Sequence, residues 1–409
     1  MRLRDVAAVD PRSHGFGRGD IGTRMSFLPL DTVWQDDRFD PSGKLEFDGH
    51  IRSYTAVLEG DVLLPKVAPT FAHARVGLAR GLESGRALAT SEVFVVRAHD
   101  PTAASFLRYR LQAQDFITEG VASWTGVAGL KRISSDFVRD VRIAPQAWHD
   151  RKSISDYLDA ETAQIDAMIV ARTRQSNLLA RRAQAVRDLM LANCGKPVRL
   201  SHMLNGIEQG WSPECEARLP AEDEWGVLKA GATNFDEFRD SESKALRPDL
   251  QPRSQFEVRA GDVLMSRANT RELAGSAAFV EICRPRLMMS DKLYRLVPDQ
   301  HRIGARYLAL VLQSSLVRAR IEAETVGSSA SMQNISQELV RDLRLPVPRL
   351  DEQDRIVAMC SDGSMRVRGA TAAIERQISL LRERRQAIIS AAVTEKLEVP
   401  HLSAASTAA

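Results

Sequence analysis

Hydrophobic positions along this chain follow two different periods, which alternate in long stretches. In residues 148–193 and 347–399, large aliphatic side chains recur at seven-residue spacing, with one interruption at Arg172 in the first stretch. Spacing of this kind over several turns is typical of a helix that lies along a partner helix. The residues expected in the core of such a helix pair are Ile165, Leu179, Val186, Val367, Ile374, Leu381 and Ile388.

Both stretches are also free of helix breakers over much of their length. Neither Gly nor Pro occurs in residues 165–193 or 370–399, so each stretch can form a long helix. An amphipathic helix packed on its own globular domain is the alternative. Two matching helices in one chain favour a different arrangement, an antiparallel coiled coil with a globular head at each end.

The remaining residues, 1–147 and 194–346, have the pattern of mixed α/β heads. Glycines separate short runs rich in β-branched and aromatic residues, and this pattern predicts strands. The clearest runs are residues 54–64, 92–96, 256–265 and 293–297. The predicted fold class is therefore α+β, with two α/β heads joined by two long helices.

The second half of the chain repeats the first. Gly60-Asp61-Val62-Leu63 recurs as Gly261-Asp262-Val263-Leu264, and Ile133-Ser134 recurs as Ile335-Ser336. The strongest match joins residues 174–185 to residues 376–387, where seven of twelve positions are identical. An ordered series of matches indicates one module used twice, with a pseudo-twofold relation between the copies. The predicted divisions are residues 1–147 (first head), 148–193 (central helix), 194–346 (second head), 347–399 (C-terminal helix) and 400–409 (tail).

Composition narrows the class of protein. Of the 409 residues, 44% are hydrophobic and 27% are charged, as in ordinary globular chains. The apolar stretches are far shorter than the ~18 residues of a membrane span, and the charged N-terminus does not resemble a secretory signal. Four scattered cysteines without a C-x-x-C motif fit a reduced, cytoplasmic compartment and predict neither disulfides nor a zinc site. A net charge of +3 permits nucleic-acid binding without arguing for it.

Catalytic motifs are absent from the sequence. The chain contains no G-x-x-x-x-G-K-[ST] phosphate loop, no H-E-x-x-H metal motif and no G-x-S-x-G nucleophile elbow. It also lacks the Asn/Asp-Pro-Pro-aromatic tetrapeptide expected of an amino-methyltransferase. We therefore expect a non-catalytic chain that holds no metal. A lone methyltransferase or nuclease with a degenerate motif is the less favoured alternative.

Two pairs of polar loops are the candidate DNA-binding elements. One loop follows each Gly-Asp-Val-Leu strand, and a second loop, at residues 123–132 and 327–336, precedes each Ile-Ser pair. Arg can bind guanine and Asn can bind adenine through two hydrogen bonds, while Lys and small polar residues suit phosphates. Polar loops are common on any surface, but recurrence at matching places favours DNA binding. The candidate residues are Lys66, His73, Arg75, Trp124, Lys131, Arg132, Arg267, Asn269, Arg271, Gln333 and Asn334.

On these features the chain resembles the specificity subunit of type I restriction–modification enzymes. The resemblance lies in residues 154–166 and 345–357, in the Leu-Leu-x-x-Arg-x-Gln-Ala segments at 178–185 and 380–387, and in the closing Ala391-Ala392-Val393-Thr394. It covers nearly the whole chain, because alternation of variable and helical segments is the layout of that family. One departure is at residues 143–149, where the family's second proline and acidic-Gln step are missing.

The resemblance implies a function and a set of partners. Each head would be a target-recognition domain for one half of a bipartite, asymmetric sequence in double-stranded DNA. The helices would fix the distance between the half-sites and dock two modification subunits, which bring S-adenosylmethionine and methylate adenine. Restriction (motor–nuclease) subunits would join for cleavage, and no membrane would be involved. A non-catalytic coiled-coil scaffold, or a recognition subunit repurposed without restriction activity, is the alternative.

Overall fold

The computed structural model describes residues 1–11, 16–32, 39–49, 54–68, 70–125, 131–324, 333–397 and 399. The chain divides into two compact units. Unit 1 comprises residues 1–174 and 374–409, and unit 2 comprises residues 175–373. Each unit therefore combines one head with parts of both long helices.

The head of unit 1 contains two four-stranded sheets. Its strands are β1 (Ala7–Val9), β2 (Arg24–Leu28), β3 (Lys44–Glu46), β4 (Tyr54–Leu58), β5 (Val62–Pro65), β6 (Gly77–Leu78), β7 (Arg86–Thr90) and β8 (Val93–Ala98). The strand orders are β1-β8-β5-β6 and β3-β2-β7-β4. Four short helices follow: α1 (Ala104–Gln112), α2 (Gln114–Ala122), α3 (Ser135–Arg139) and α4 (Pro145–His149).

The first long helix, α5 (Arg151–Ala192), leads into the head of unit 2. The strands there are β9 (Pro197–Arg199), β10 (Leu204–Gln209), β11 (Cys215–Glu216), β12 (Gly226–Leu228), β13 (Ser243–Leu246), β14 (Val263–Ser266), β15 (Ala268–Asn269), β16 (Ala277–Phe279), β17 (Leu287–Met288) and β18 (Leu293–Pro298). After α6 (Ala305–Leu312) and α7 (Ser315–Glu324) come β19 (Gln333–Asn334), α8 (Gln337–Asp342), β20 (Arg344–Pro346) and the second long helix, α9 (Leu350–Val393).

The head sheets of unit 2 repeat the pattern of unit 1. Strand order β10-β18-β14-β16 corresponds to β1-β8-β5-β6, and a second four-stranded sheet has the order β11-β13-β12-β17. Two short pairs, β15–β19 and β20–β9, also occur among the described residues of unit 2. The mixed α+β class predicted from the sequence is confirmed.

A tight turn explains the repeated Gly-Asp-Val-Leu segment. Gly60 and Gly261 have φ angles of 87° and 98°, a left-handed conformation that glycine adopts without steric cost. The aspartate after each glycine closes the turn. Its carboxylate accepts a hydrogen bond from the backbone N–H three residues earlier, at 2.7 Å for Asp61 and 2.9 Å for Asp262. This turn divides the predicted run 54–64 into β4 and β5. Similarly, only the end of the predicted run 256–265 is a strand, β14.

The long helices run antiparallel within each unit. In unit 1, Ile154 and Leu158 near the start of α5 share a hydrophobic core with Ile389 and Val393 near the end of α9. In unit 2 the order is reversed, and Leu191 near the end of α5 shares a core with residues near the start of α9, among them Ile356 and Cys360. The predicted antiparallel coiled coil is confirmed.

The side chains predicted to form the core of the helix pair differ in burial. Ile165 and Ile374 are buried, and Leu179, Val367, Leu381 and Ile388 are half-buried. Val186 was wrongly assigned, because its side chain is 47% exposed. The end of α5 contacts the head of unit 2 through other positions, whose side chains form hydrogen bonds with the head. These positions include Gln184, Arg187 and Asp188. The buried face of the helix there therefore does not follow the predicted seven-residue spacing.

Candidate nucleic-acid interface

The two candidate loops of each head meet at one edge through the same backbone contacts. In unit 2, β15 and β19 pair Asn269 with Gln333 and Ala268 with Asn334. The backbone N–H of Ile335 then donates to the carbonyl oxygen of Arg267 at 2.9 Å. The repeated Ile-Ser pair holds this edge in place, since Ile335 is buried and Ser336 caps α8.

The corresponding contacts recur in unit 1. Val67 forms a bridge with Arg132, and the backbone N–H of Ile133 donates to the carbonyl oxygen of Lys66 at 3.1 Å. Ile133 is buried and Ser134 caps α3, as their counterparts do in unit 2. The two loops of each head therefore lie side by side. The sequence predicted that the loops occur in the same order in both copies, but not that they are in contact. We call these places the loop edges of units 1 and 2. The rest of the second loops, residues 126–130 and 325–332, lies outside the described residues.

In the loop edge of unit 2, several candidate side chains already have partners in the protein. Arg267 donates to the carbonyl oxygen of Asp291 at 3.2 Å. The Asn269 amide donates to Asn234 at 3.0 Å, and its oxygen accepts from the backbone N–H of Thr270 at 2.9 Å. Through these hydrogen bonds, both side chains stabilise the conformation of the loop.

Other side chains of this edge face solvent. Asn334 and Arg271 are exposed, whereas Gln333 is buried and its side-chain oxygen has no hydrogen-bond partner among the described residues. Lys292 lies beside Arg267, whose backbone N–H donates to the Lys292 carbonyl oxygen at 2.7 Å. The geometry therefore separates Asn334 and Arg271, which can reach a ligand directly, from residues that support the loop.

In the loop edge of unit 1, Lys66 is firmly held. Its ammonium donates to the carbonyl oxygen of Ser91 at 2.9 Å and lies 3.6 Å from the Asp10 carboxylate. It also lies 4.5 Å from the centre of the Phe94 ring. These contacts occupy Lys66 within the head, so a DNA phosphate would have to compete for it.

The other candidate side chains of this edge differ in their exposure to solvent. Lys131 is exposed, and its ammonium lies 5.8 Å from the centre of the half-buried Trp124 ring. His73 is exposed, and Arg75 is half-buried. Arg132 is held by two hydrogen bonds from its guanidinium to the Glu92 carboxylate, at 2.7 and 3.1 Å.

Sequence reasoning missed the charged residues that precede β8 and β18. Glu92 and Lys292 occupy matching places, since each carbonyl oxygen accepts the backbone N–H of the first loop residue, Lys66 or Arg267. Their distance in sequence from the loops hid them, and only alignment of the two copies could have revealed the position. Asp291, next to Lys292, was also missed. Partial burial would raise the pKa of its carboxyl, but hydrogen bonds from Ser212 and Lys292 outweigh it and hold that pKa below its usual value.

The heads are attached to the helices by one repeated contact. Gln386 on α9 donates to the Gln112 carbonyl oxygen in unit 1, and Gln184 on α5 donates to the Gln313 carbonyl oxygen in unit 2. These are the glutamines of the two Leu-Leu-x-x-Arg-x-Gln-Ala segments. Each segment thus supports the head that lies in the other copy of the sequence repeat.

A buried polar network adds to this attachment in unit 1. Asp159 on α5 accepts hydrogen bonds from Arg108 at 2.9 Å and from the Tyr109 hydroxyl at 2.7 Å. Burial raises the pKa of Tyr109 to about 12. Nearby, Arg385 on α9 pairs with Asp166 at 3.1 Å.

Unit 2 has alanines in place of the two arginines of this network. Ala309 and Ala183 occupy the places of Arg108 and Arg385, by the same offsets that align the glutamines. Ala309 lines a cavity of about 350 Å³ between the head and the helices of unit 2. The two heads therefore share a backbone frame but differ in how tightly side chains fill the contact with the helices.

The first leucines of the same two segments face outward. Leu178 and Leu380 are 53% and 62% exposed, in units 2 and 1 respectively. The two copies therefore place an exposed leucine at the same position of the long helices. Within the described residues, no cluster of His, Cys, Asp and Glu is arranged to hold a metal ion, and no helix is long and apolar enough to cross a membrane.

The fold defines an internally repeated α+β protein in which each head rests on a pair of antiparallel long helices. This chain is similar to type I restriction enzyme specificity subunits. It is 24% identical to the Type I restriction enzyme EcoEI specificity subunit of Escherichia coli, in an alignment covering 88% of this chain and 77% of that one. The EcoAI specificity subunit of Escherichia coli is 26% identical over 33% of this chain and 23% of its own length.

A solved structure shares the fold. One chain, described as "Structural basis underlying complex assembly and conformational transition of the type I R-M system", superposes with a TM-score of 0.70 at 18% identity and covers 96% of both chains. No family model matches the sequence. The resemblance inferred from the repeat and its helical segments is confirmed.

Proposed function

We propose that this chain is the non-catalytic specificity subunit of a type I restriction–modification complex. Each head reads one half of a bipartite, asymmetric target in double-stranded DNA. The observation that carries this proposal is the pair of loop edges, which have the same backbone frame but different side chains. Such a design lets two heads approach DNA in the same way and read different bases.

The helices set the unspecified gap between the half-sites and dock two modification subunits. The long helices carry several large apolar side chains that are exposed in this chain, and such side chains are available for contact with a protein partner. In unit 2 these include Leu178, Leu189, Met359 and Met365, and in unit 1 Met168, Val170 and Leu380. The modification subunits supply S-adenosylmethionine and methylate adenine, and restriction subunits join them for cleavage.

Co-expression with the modification subunit encoded beside this chain, followed by genome-wide mapping of methylated adenines, tests the proposal. We expect one new bipartite motif, which is lost when either chain is omitted. If the two chains associate but create no motif, the chain is a recognition subunit repurposed for another role. If they fail to associate, the chain is a coiled-coil scaffold of another kind.

A further inference from the structure

An ion pair in the loop edge of unit 1 has a geometry that suits competition with DNA. The Arg132 guanidinium meets the Glu92 carboxylate in a two-point contact, with Nη2–Oε1 at 2.7 Å and Nε–Oε2 at 3.1 Å. Both residues have anchored backbones. Arg132 exchanges two hydrogen bonds with Thr125, and the carbonyl oxygen of Glu92 accepts from Lys66. The backbones that carry the pair are therefore part of the edge.

The partner that Arg132 now holds resembles the partners that DNA offers. A phosphate group and the O6/N7 edge of guanine each present two acceptors to the guanidinium fork, as a carboxylate does. The pair is also accessible, with side-chain exposures of 48% for Arg132 and 32% for Glu92. Exposed ion pairs contribute little to stability, so DNA that offers an equivalent anion can replace Glu92.

Unit 2 carries no carboxylate at the matching place. Lys292 stands where unit 1 has Glu92, and Asn334 stands where unit 1 has Arg132. The Lys292 ammonium lies 3.2 Å from the neighbouring Asp291. The Glu92–Arg132 pair is therefore a property of one head and does not follow from the shared backbone frame.

We propose that Glu92 is a specificity-determining residue that restrains Arg132 in the first head. Glu92 occupies the guanidinium fork and opposes binding to DNA that offers only a phosphate. A correct half-site supplies further contacts along the edge, and these together displace the carboxylate. Glu92 thus lowers affinity for incorrect DNA more than for the correct half-site. This inference rests on the proposed function.

The test uses the full chain in complex with its modification subunits and measures binding to three duplexes. One carries the methylated motif found by mapping, one has the first half-site scrambled, and one has both half-sites scrambled. Glu92→Gln should raise affinity for the fully scrambled duplex about fivefold and change affinity for the correct duplex less. One additional phosphate contact should also steepen the dependence of log affinity on log salt concentration by about 0.9.

Two further variants distinguish the restraint from simple charge repulsion. If Glu92 acts through Arg132, the rise in affinity for the fully scrambled duplex that Glu92→Gln causes is absent from the Glu92→Gln/Arg132→Gln double variant. An equal gain in the double variant overturns the proposal, because it assigns the effect to net charge alone. Glu83→Gln is the matched control, since Glu83 pairs with Lys44 in the same head at 2.8 Å with 35% exposure. It should leave discrimination between the duplexes unchanged.

The proposed function and the restraint fail in different ways. A wild-type complex that binds all three duplexes equally contradicts the proposed function. A wild-type complex that selects the correct duplex, with Glu92→Gln binding all three as wild type does, overturns only the restraint. Equal thermal unfolding temperatures for wild type and both single variants show that the comparison concerns DNA binding and not folding.

Discussion

Among the candidate side chains of the second head, Asn334 and Arg271 are exposed, and Asn334 lies in a paired strand. Its backbone is fixed by pairing with Ala268, while its side chain is exposed. By contrast, Arg267 and Asn269 have partners in the protein that hold the loop in shape. A residue with a fixed backbone and an accessible amide can form two hydrogen bonds to adenine with little loss of freedom.

Asn334→Ala should therefore relax one half-site and leave the other unchanged. Loss of a base contact costs about 1–3 kcal/mol, which corresponds to about a 5- to 150-fold loss of discrimination at one position. Methylation mapping of the variant complex measures this directly. Asn205→Ala removes another exposed amide of the same head, in strand β10 and not in the loop edge, and is the control that should leave the motif intact. If recognition of both half-sites weakened equally, Asn334 would contribute to folding or to phosphate binding and not to reading a base.

Tyr109 contributes a pH-dependent component to the stability of unit 1. Burial is the main reason that its pKa rises to about 12, and its neutral hydroxyl donates to Asp159. The unfolded chain loses this proton near its usual pKa of about 10, while the folded chain keeps it to about 12. The stabilisation is thus fully present below pH 10 and is lost as the pH rises from about 10 to 12.

Urea unfolding of wild type and Tyr109→Phe between pH 8 and 11.5 checks this expectation. The variant should be less stable at pH 8, because it loses a buried hydrogen bond. The difference between the two proteins should shrink as the pH rises, by at most about 2–3 kcal/mol. Tyr54→Phe removes an exposed hydroxyl and serves as the control. A difference that stays constant up to pH 11.5 would contradict the role assigned to Tyr109.

At the residue scale, the sequence predicted the positions of the loops but not the partners of their side chains. The repeat identified Lys66 and Arg132 as candidates through their order along the chain. It could not indicate that Glu92, forty residues before Arg132, would occupy the guanidinium. Such a contact depends on how β8 is placed beside the loop, and local sequence patterns do not encode that placement.

At the scale of elements, the sequence predicted long helical regions at residues 148–193 and 347–399, and these contain α5 (Arg151–Ala192) and α9 (Leu350–Val393). The lack of helix breakers covers only part of these regions. The absence of Gly and Pro supported helices over residues 165–193 and 370–399, whereas α9 begins at Leu350 and passes through Gly363 and Gly369. A glycine weakens a helix only by about 1 kcal/mol relative to alanine. Packing of neighbouring turns, which bury Ile356 and Cys360, is enough to maintain the helix there.

Replacement of Gly363 by alanine should therefore stabilise the protein. A Cβ atom added at Gly363 has no neighbouring atom within 4 Å, so the change introduces no clash. We expect the free energy of unfolding to rise by about 0.5–1 kcal/mol, through better helix propensity and a less flexible unfolded chain. Gly206→Ala is the matched control: its surroundings are equally open, but it lies in strand β10. Equal effects of both substitutions would argue against a helix-specific gain.

At the scale of the whole molecule, the repeat was the most informative feature of the sequence. It predicted two like heads and two long helices, with seven identities between residues 174–185 and 376–387. Their meaning was not readable from the sequence. Gln184 and Gln386 each support the head of the other copy, because antiparallel helices bring the end of one beside the start of the other. The seven-residue pattern indicates a helix partner but not which head lies next to it.

The division of the chain into units suggests where the spacing of the half-sites can be changed. Both helices pass from one unit to the other at single points, between Arg174 and Gln175 in α5 and between Ala373 and Ile374 in α9. Insertions at these points do not interrupt the residues that form the contacts within each head, or the residues through which each head contacts its helices. Insertions elsewhere would shift Gln184 or Gln386 relative to the head that it supports.

A matched insertion of four helix-forming residues at both points should lengthen the gap of the DNA target and preserve both half-sites. Four residues add one turn, or about 6 Å of helix, which corresponds to about one to two base pairs of duplex. Methylation mapping of the variant complex gives the new gap directly, and the same four residues added after Ala409 are the control. Because the loop edges are untouched, an altered half-site with an unaltered gap would show that the helices do not set the spacing.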